Sequence, residues 1–317
     1  MQESRSPSRT RLSNGLRALA LLVLAGLTSC VSSGKDIPRP GDEGYQPMGP
    51  ATRKSHSIGK YLADLNTSIA AWNAKSLTAS TSQEVRKHNL LEVNIRERVK
   101  NRFEEIMREL EAGPTRNRQI AAGAIGFAGD SRALSPLLGA LKDADERVVG
   151  NALVSLGLLA IKETPMHEIG NVLRNSTNSR TRWSAANAAL ELIGAGADPN
   201  GIVEPARFAL TDHEEPAVRS QAALVLALVE DVESLDALGE LIFDDVPLVS
   251  TAAALAISKL GRKDPRSVGK AARLLYAGLE QGDRKLRLRV QPALVQLADR
   301  NYDLNLTAWK EWIDSLH

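Results

Sequence analysis

A short helical segment recurs along the last two thirds of this chain, and this repetition constrains the fold more than any other feature. Its second position falls at residues 118, 149, 182, 219, 250 and 289, so successive copies lie 31, 33, 37, 31 and 39 residues apart. In the first five copies an alanine follows three residues after that position. A period of roughly 20–50 residues indicates stacked structural units that share one continuous core.

The sequence between two copies reads as a turn and a second amphipathic helix. Leucines at residues 134, 137, 138 and 141 recur at three- and four-residue steps, which places them on one face of a helix. The turns between repeats are acidic, as in residues 243–247 (FDDVP), because aspartate caps the following helix and proline suits its first turn. Aromatic residues make up only 4%, and no alternating strand pattern competes. The sequence therefore predicts an all-α fold.

The alanine-containing segments resemble the HEAT-repeat family, including its short bacterial type related to the phycocyanobilin-lyase repeats. The motif Val-Arg-x-x-Ala-Ala carries the resemblance; it is cleanest at residues 218–223 and departs most at Val149, Ser250 and Pro292. The resemblance covers residues 114–317, about six repeats, and implies a HEAT-type solenoid, a right-handed α-α superhelix. Tetratricopeptide repeats are the alternative, but their period of about 34 residues and their tryptophan and tyrosine positions are missing.

The N-terminus predicts export. Arg5, Arg9 and Arg11 precede an apolar run from Leu16 to Leu27 that contains only Arg17 near its start. The run is shorter than the roughly 20 residues that span a bilayer. This arrangement is typical of a secretory signal peptide, here over residues 1–29. The residues just before Cys30 (Leu-Thr-Ser) resemble the bacterial lipobox, and the resemblance implies cleavage before Cys30 and acyl chains on that residue. An ordinary cleaved signal with an incidental cysteine is the alternative.

The residues after the lipobox predict a spacer. Prolines and glycines alternate through residues 30–55, and because proline removes amide donors and glycine adds backbone entropy, we expect a disordered tether. Val31, not an aspartate, follows Cys30, which favours the outer membrane over the inner one in well-studied Gram-negative bacteria. We therefore expect a lipid-anchored protein on the periplasmic side of the bacterial cell envelope.

The charge balance argues against nucleic acid as a partner. The full chain carries +2, but residues 1–29 contribute +3, so the mature chain carries −1. A nucleic-acid-binding protein needs a basic patch or stripe that neutralises phosphates. The positive and negative residues of the mature chain are instead interspersed.

Residues 56–113 predict a helical pair ahead of the repeats. Apolar residues from Ile58 to Trp72, and again from Leu91 to Leu110, keep helical spacing, and Gly113-Pro114 ends the second pattern. We expect the second helix to be continuous and about 45 Å long. The pair is interpreted as a cap on the open end of the repeats, with a coiled-coil dimerisation arm as the alternative.

No pattern of catalytic or metal-binding residues is present in the sequence. The five histidines have no metal-ligand spacing, and the glycine-rich segment 194–201 lacks the third glycine and the preceding strand of a dinucleotide-binding loop. We interpret it as a widened turn. The sequence thus predicts no enzyme activity, no cofactor and no metal. Trp309 and Trp312 near the C-terminus are interpreted as a cap on the last repeat, with an aromatic recognition patch as the alternative.

Charged positions on the second helices are the candidate partner-binding residues. We expect these helices to line a groove whose charge is basic, then acidic, then basic again, and which suits a polar protein partner. The groove residues are Arg174, Arg207, Glu233, Asp236, Glu240, Lys270 and Arg273. A second set, Arg118, Arg182, Arg219 and Arg289, shares one repeat position, and we interpret it as a ladder bound to neighbouring acidic turns.

The function that these features favour is an envelope scaffold or adaptor that binds an unidentified envelope protein. The resemblance to the lyase repeats leaves open a protein that handles a chromophore or another small molecule. A purely structural link between the membrane and another envelope layer is the third hypothesis.

Overall fold

The computed structural model describes residues 57–78, 80–211 and 215–316. Across these ranges the chain forms fifteen α-helices and no strand. Cys30, the predicted signal peptide and the predicted tether lie outside the described residues. The helices are α1 (Ile58–Thr78), α2 (Ser82–Asn101), α3 (Phe103–Ala112), α4 (Thr115–Ile125), α5 (Leu134–Ala140), α6 (Glu146–Leu159), α7 (Met166–Asn175), α8 (Ser179–Gly194), α9 (Val203–Thr211), α10 (Pro216–Leu228), α11 (Leu235–Leu241), α12 (Pro247–Lys263), α13 (Val268–Gln281), α14 (Arg284–Ala298) and α15 (Leu306–Asp314).

From α3 onward the helices alternate between two layers. The alanine-rich segments form one layer, here called the inner helices: α4, α6, α8, α10, α12 and α14. The leucine-bearing segments form the second layer, called the outer helices: α3, α5, α7, α9, α11 and α13. Each inner helix packs against the next inner helix and against an outer helix beside it, and most outer helices also contact the next outer helix. This architecture is an all-α superhelix of the HEAT type, as the repeat pattern predicts.

Side-chain hydrogen bonds to backbone carbonyls tie successive inner helices together. The Nδ2 atom of Asn151 on α6 donates to the carbonyl oxygen of Gln119 on α4, at 2.8 Å. The Oγ1 atom of Thr181 on α8 donates to the carbonyl oxygen of Glu146 on α6, at 3.2 Å. Short side chains reach a neighbouring backbone only when the two helices lie close together.

A close approach between two inner helices lies at Gly126, directly after α4. Its amide donates to the Oγ atom of Ser155 at 3.1 Å, and that hydroxyl donates in turn to the carbonyl oxygen of Ala122. A Cβ atom at Gly126 would lie 2.7 Å from the Cα atom of Ser155. The two backbones are therefore in contact here, with no room for a side chain.

The difference in spacing between the layers sets the direction of curvature. Contacts between successive inner helices are far more extensive than those between successive outer helices. A stack of helix pairs bends toward the layer in which neighbours lie closer, so the inner helices face the concave side. The outer helices, which carry the groove residues named above, lie on the convex side. Alanine and glycine bring the first helices closer together, so the contacts favour the first helices as the lining of the groove, and the expectation that the second helices line it stays a prediction.

The helical pair α1–α2 packs against the N-terminal end of the stack. The hydroxyl of Tyr61 on α1 donates to the carbonyl oxygen of Arg98 on α2, so the two helices run antiparallel. The ring of Trp72 meets Phe127 edge-on, with centroids 5.1 Å apart, and stacks on His88 at the same separation. These contacts cover the apolar end of the first repeat.

The expected single helix over the second pattern is wrong, because the chain breaks at Arg102. That residue has φ −129° and ψ 29°, which separates α2 from α3. Its guanidinium lies 4.6 Å from the centre of the Tyr61 ring and pairs with Glu105. The break lets α3 turn into the outer layer, where it packs against α4 and α5.

The C-terminal helix α15 closes the other end. Trp309 is fully buried against α13, and its indole nitrogen donates to the carbonyl oxygen of Asp303 at 2.9 Å. Tyr302 and Trp312 meet its ring edge-on, with centroids 4.9 and 5.9 Å away. The structure thus places Trp309 in the core, as a cap requires, and leaves Trp312 partly exposed.

Candidate partner-binding surfaces

The groove residues on the outer helices are largely engaged with one another. Arg207 on α9 pairs with Asp231 and Glu233, which precede α11 in the next repeat, and also with Glu204 one turn away. The Arg207–Glu233 pair measures 2.8 Å. The charge of this basic position is therefore balanced within the chain.

The same pairing continues toward the C-terminus. Lys270 on α13 pairs with Asp236 on α11, at 2.7 Å. Four of the seven groove residues therefore form two ion pairs between neighbouring repeats. Glu240 and Arg273 are exposed, and Arg174 lies over the Phe208 ring at 4.5 Å. A partner contact at these seven residues stays a prediction.

Two members of the arginine ladder bind the acidic turn that follows their repeat. Arg118 donates from Nε and Nη2 to both carboxylate oxygens of Asp143, at 2.7 and 3.1 Å. Arg219 likewise donates to Asp244, at 2.7 Å. In both pairs the aspartate lies 25 residues after the arginine. The hydrogen bonds from Arg118 hold the pKa of the Asp143 carboxyl below its usual range, so this carboxylate stays charged above mildly acidic pH.

The remaining two ladder positions differ. The Nε atoms of Arg182 and Arg289 are buried and have no hydrogen-bond partner within the described part of the chain. Burial lowers the pKa of Arg182, although the charge of Glu146 opposes that shift. Arg118 binds the acidic turn at Asp143. The acidic turn expected in the same role for Arg182 includes residues 212–214, which lie outside the described residues. The ladder is therefore observed at two of its four expected positions.

A different arginine row on the concave side escaped the sequence analysis. Arg116, Arg147 and Arg180 occupy the first turns of the consecutive inner helices α4, α6 and α8, and all three are exposed. Among the described residues the side chains of Arg116 and Arg180 have no ion-pair partner, and that of Arg147 has only Asp145, at 3.8 Å. The signal was present in the sequence, since the three residues precede the ladder position by two in each repeat. We call Arg116, Arg147 and Arg180 the arginine row.

Apolar side chains continue the row along α6. Asn151, Val154 and Leu158 follow Arg147 at helical steps, so the four residues share one stripe of the helix. Val154 and Leu158 are each 37% exposed. The concave side thus offers cations at the start of the inner helices and apolar contacts farther along the same face.

Features that would indicate chemistry are few in the described ranges. No group of His, Cys, Asp and Glu residues among them could hold a metal ion. An open cleft beside the first repeat is lined by Lys100, Phe103 and residues 128–132. None of the helices in the described part of the chain has both the length and the apolar character needed to cross a membrane.

These observations define the chain as a helical repeat protein. A family model described as HEAT repeats matches residues 203–294, which run from α9 into α14. No curated protein matches the chain. Each inner helix and the outer helix beside it form the recurring unit, and the fold is of a kind suited to binding other proteins.

Several solved repeat proteins are similar in architecture. The designed armadillo repeat protein YIII(Dq)4CqI is 19% identical, with 61% of this chain and 98% of that chain covered and a TM-score of 0.47. An engineered protein from the Northeast Structural Genomics Consortium is 17% identical, with 82% and 76% covered and a TM-score of 0.48. Because both scores lie below 0.5, the likeness says nothing about the function of this chain.

Proposed function

We propose that this protein is a lipid-anchored scaffold of the bacterial cell envelope, which binds a polypeptide partner on its concave side and catalyses no reaction. Cys30 carries the lipid, residues 30–55 form the tether, and the outer membrane is the favoured location. One observation carries the binding role: the arginine row is exposed on three consecutive repeats, whereas the charges of the outer helices largely pair with one another.

The spacing of the arginine row suggests the conformation of the partner. Packed neighbouring helices lie about 8–10 Å apart, so the row offers a positive charge roughly every 9 Å. A polyproline II helix rises about 3.1 Å per residue with three residues per turn, which places every third side chain on one face about 9 Å apart. Side chains on one face of a β-strand recur at about 6.6 Å. The row therefore fits an extended acidic segment with a carboxylate at every third position.

Peptides of equal composition test this geometry on the full chain. We expect a fluorescent peptide with three Glu-Pro-Pro units to bind, and an isomer with three adjacent glutamates followed by six prolines to bind about tenfold more weakly, because it reaches one arginine at a time. Fluorescence anisotropy at two salt concentrations measures both affinities. Binding of the spaced peptide should weaken as salt rises, since its contacts are exposed ion pairs.

Two variants with the same charge change test which side of the solenoid binds the peptide. Arg147→Glu should weaken binding of the spaced peptide by about tenfold or more, because it replaces the central attraction by repulsion. Arg174→Glu makes the same charge change on the convex side and should have little effect. Equal affinities for the two isomers, or an effect of Arg174→Glu as large as that of Arg147→Glu, would contradict the proposed surface.

Membrane anchoring is tested separately in cells. We expect the wild-type chain to sediment with membranes and to be released by detergent, and Cys30→Ser to appear in the soluble envelope fraction, since it removes the acyl chains that hold the chain. Thr28→Ser, which keeps a small residue two positions before the cysteine, serves as the control. A Cys30→Ser variant that remains with the membrane would refute the lipid anchor without affecting the peptide experiment.

A further inference from the structure

The outer surface of α2 carries large apolar side chains that nothing in the described ranges covers. Leu90 is 69% exposed and Val93 is 57% exposed, although this helix is otherwise rich in polar residues. The opposite face of α2 is accounted for, because Ile95 and Val99 are buried against the rest of the chain. Two exposed aliphatic residues three positions apart form a small apolar surface in the middle of a regular helix.

Charged residues flank this surface symmetrically. Arg86 lies four residues before Leu90, and Glu97 lies four residues after Val93. The four residues fall at helical steps of four, three and four, so they share one stripe of α2. Arg86 and Glu97 are exposed and have no ion-pair partner within the described part of the chain. The stripe reads positive, apolar, apolar, negative.

The stripe is self-complementary, because a second copy running in the opposite direction places opposite charges next to each other. If a second α2 is laid antiparallel on the first, with a two-fold axis between residues 91 and 92, Arg86 faces Glu97 of the other copy. The same axis places Leu90 opposite Val93. A closed dimer requires such an isologous surface, in which residue i meets j and j meets i. Every member of the stripe therefore gains a suitable partner from one symmetric contact.

The flanks of the stripe are compatible with this pairing. Lys87 and Asn94 lie on one flank of the stripe, so the axis brings Lys87 toward Asn94 of the other copy, and no like charges meet there. On the other flank the axis brings Asn89 toward Arg96 of the other copy, where the amide oxygen of Asn89 can accept a hydrogen bond from the guanidinium. Arg96 is already paired with Glu92 on its own helix, at 2.7 Å, which balances its charge.

We infer that the protein forms a homodimer through the exposed stripe of α2, which consists of Arg86, Leu90, Val93 and Glu97. The interface is small, since α2 spans about 30 Å, and we expect a weak dimer with a dissociation constant on the order of tens of micromolar. Dimerisation joins the N-terminal ends of two solenoids and leaves both concave sides open. It depends neither on the lipid anchor nor on the arginine row.

A charge exchange tests the pairing directly. Sedimentation velocity of the full chain in a density-matched detergent, over a concentration series, measures the dissociation constant. We expect Arg86→Glu alone, and Glu97→Arg alone, each to weaken dimerisation by about tenfold or more, because each turns two attractive contacts into repulsive ones. The double variant R86E/E97R restores both pairs in reverse and should dimerise within about twofold of the wild-type chain.

Two further variants separate this interface from general effects. Leu90→Glu places a charge in the centre of the stripe and should abolish the dimer, whereas Lys60→Glu, on the exposed part of α1, should leave it unchanged. All five substituted chains should keep the wild-type circular dichroism spectrum, since every altered side chain is solvent-exposed. A wild-type chain that stays monomeric up to about ten times the expected dissociation constant, or a double variant as weak as the single ones, would overturn the inference.

Discussion

Replacing Trp309 by alanine should lower the free energy of unfolding by about 3–5 kcal/mol, which makes it one of the two most damaging substitutions that we predict. The indole is fully buried, so its removal leaves a large cavity between α13 and α15. Its hydrogen bond to the carbonyl oxygen of Asp303 is also lost. Edge-on contacts with Tyr302 and Trp312 add to the stabilisation.

The loss should be local at first, because each repeat contacts only its neighbours. Urea unfolding followed by circular dichroism should show an early transition that the wild-type chain lacks. Hydrogen exchange should show faster exchange in α13 and α15, while α4 and α6, at the far end, keep their protection. Trp309→Phe keeps most of the volume and should cost less, about 1–2 kcal/mol for the lost hydrogen bond and the smaller ring.

Trp312→Ala is the matched control, since that residue belongs to the same helix but is only partly buried. If Trp312→Ala destabilised the chain as much as Trp309→Ala, the helix would depend on the aromatic pair as a unit. If neither substitution changed stability, α15 would not be the cap that closes the last repeat.

Much of the fold was predictable because the spacing of the repeats indicates which side chains face the shared core and where each helix begins. The position of Arg219 relative to Ala222 and Ala223 fixes which side of α10 faces its neighbours, and the acidic turns fix where helices begin. The break at Arg102 was not predictable in this way, because the apolar spacing continues through it. The side chain of Arg102 contacts Tyr61 on another helix, and a contact between residues so far apart in sequence is not visible in the spacing.

The candidate surface was harder to foresee than the fold. Periodicity identifies the charged positions of the outer helices, but it does not say that Arg207 and Glu233 belong to neighbouring repeats in contact. The alanines of the inner helices did carry a signal for the direction of curvature, since small side chains permit close approach. That signal indicates the concave side only when the distance between neighbouring helices in the inner layer is compared with that in the outer layer.

Gly126→Ala should destabilise the chain by about 2–3 kcal/mol, although alanine is ordinarily the better residue in a helical segment. Gly126 has φ −59° and ψ −28°, which any residue adopts, so backbone strain plays no part. The added methyl would lie 2.7 Å from both the Cα and the carbonyl oxygen of Ser155. Because these are backbone atoms of α6, no rotamer change can relieve the overlap, and the two inner helices must separate.

Gly139→Ala is the opposite case and the control. Gly139 lies on α5 in the outer layer, where an added Cβ meets no atom within 4 Å. The same substitution should therefore stabilise the chain by about 0.5 kcal/mol through helix propensity alone. Thermal and urea unfolding of the two variants and of the wild-type chain measure the expected loss of stability in Gly126→Ala and the expected gain in Gly139→Ala.

The pair of results bears on curvature as well as stability. If α4 and α6 are held at backbone contact by Gly126, separating them must also weaken the hydrogen bonds that Ser155 makes with Gly126 and Ala122. Hydrogen exchange at the amide of residue 126 should then rise in Gly126→Ala and stay unchanged in Gly139→Ala. Stabilisation by Gly126→Ala would instead mean that the inner helices are spaced loosely enough to accept a side chain, and the concave side could not be assigned to them.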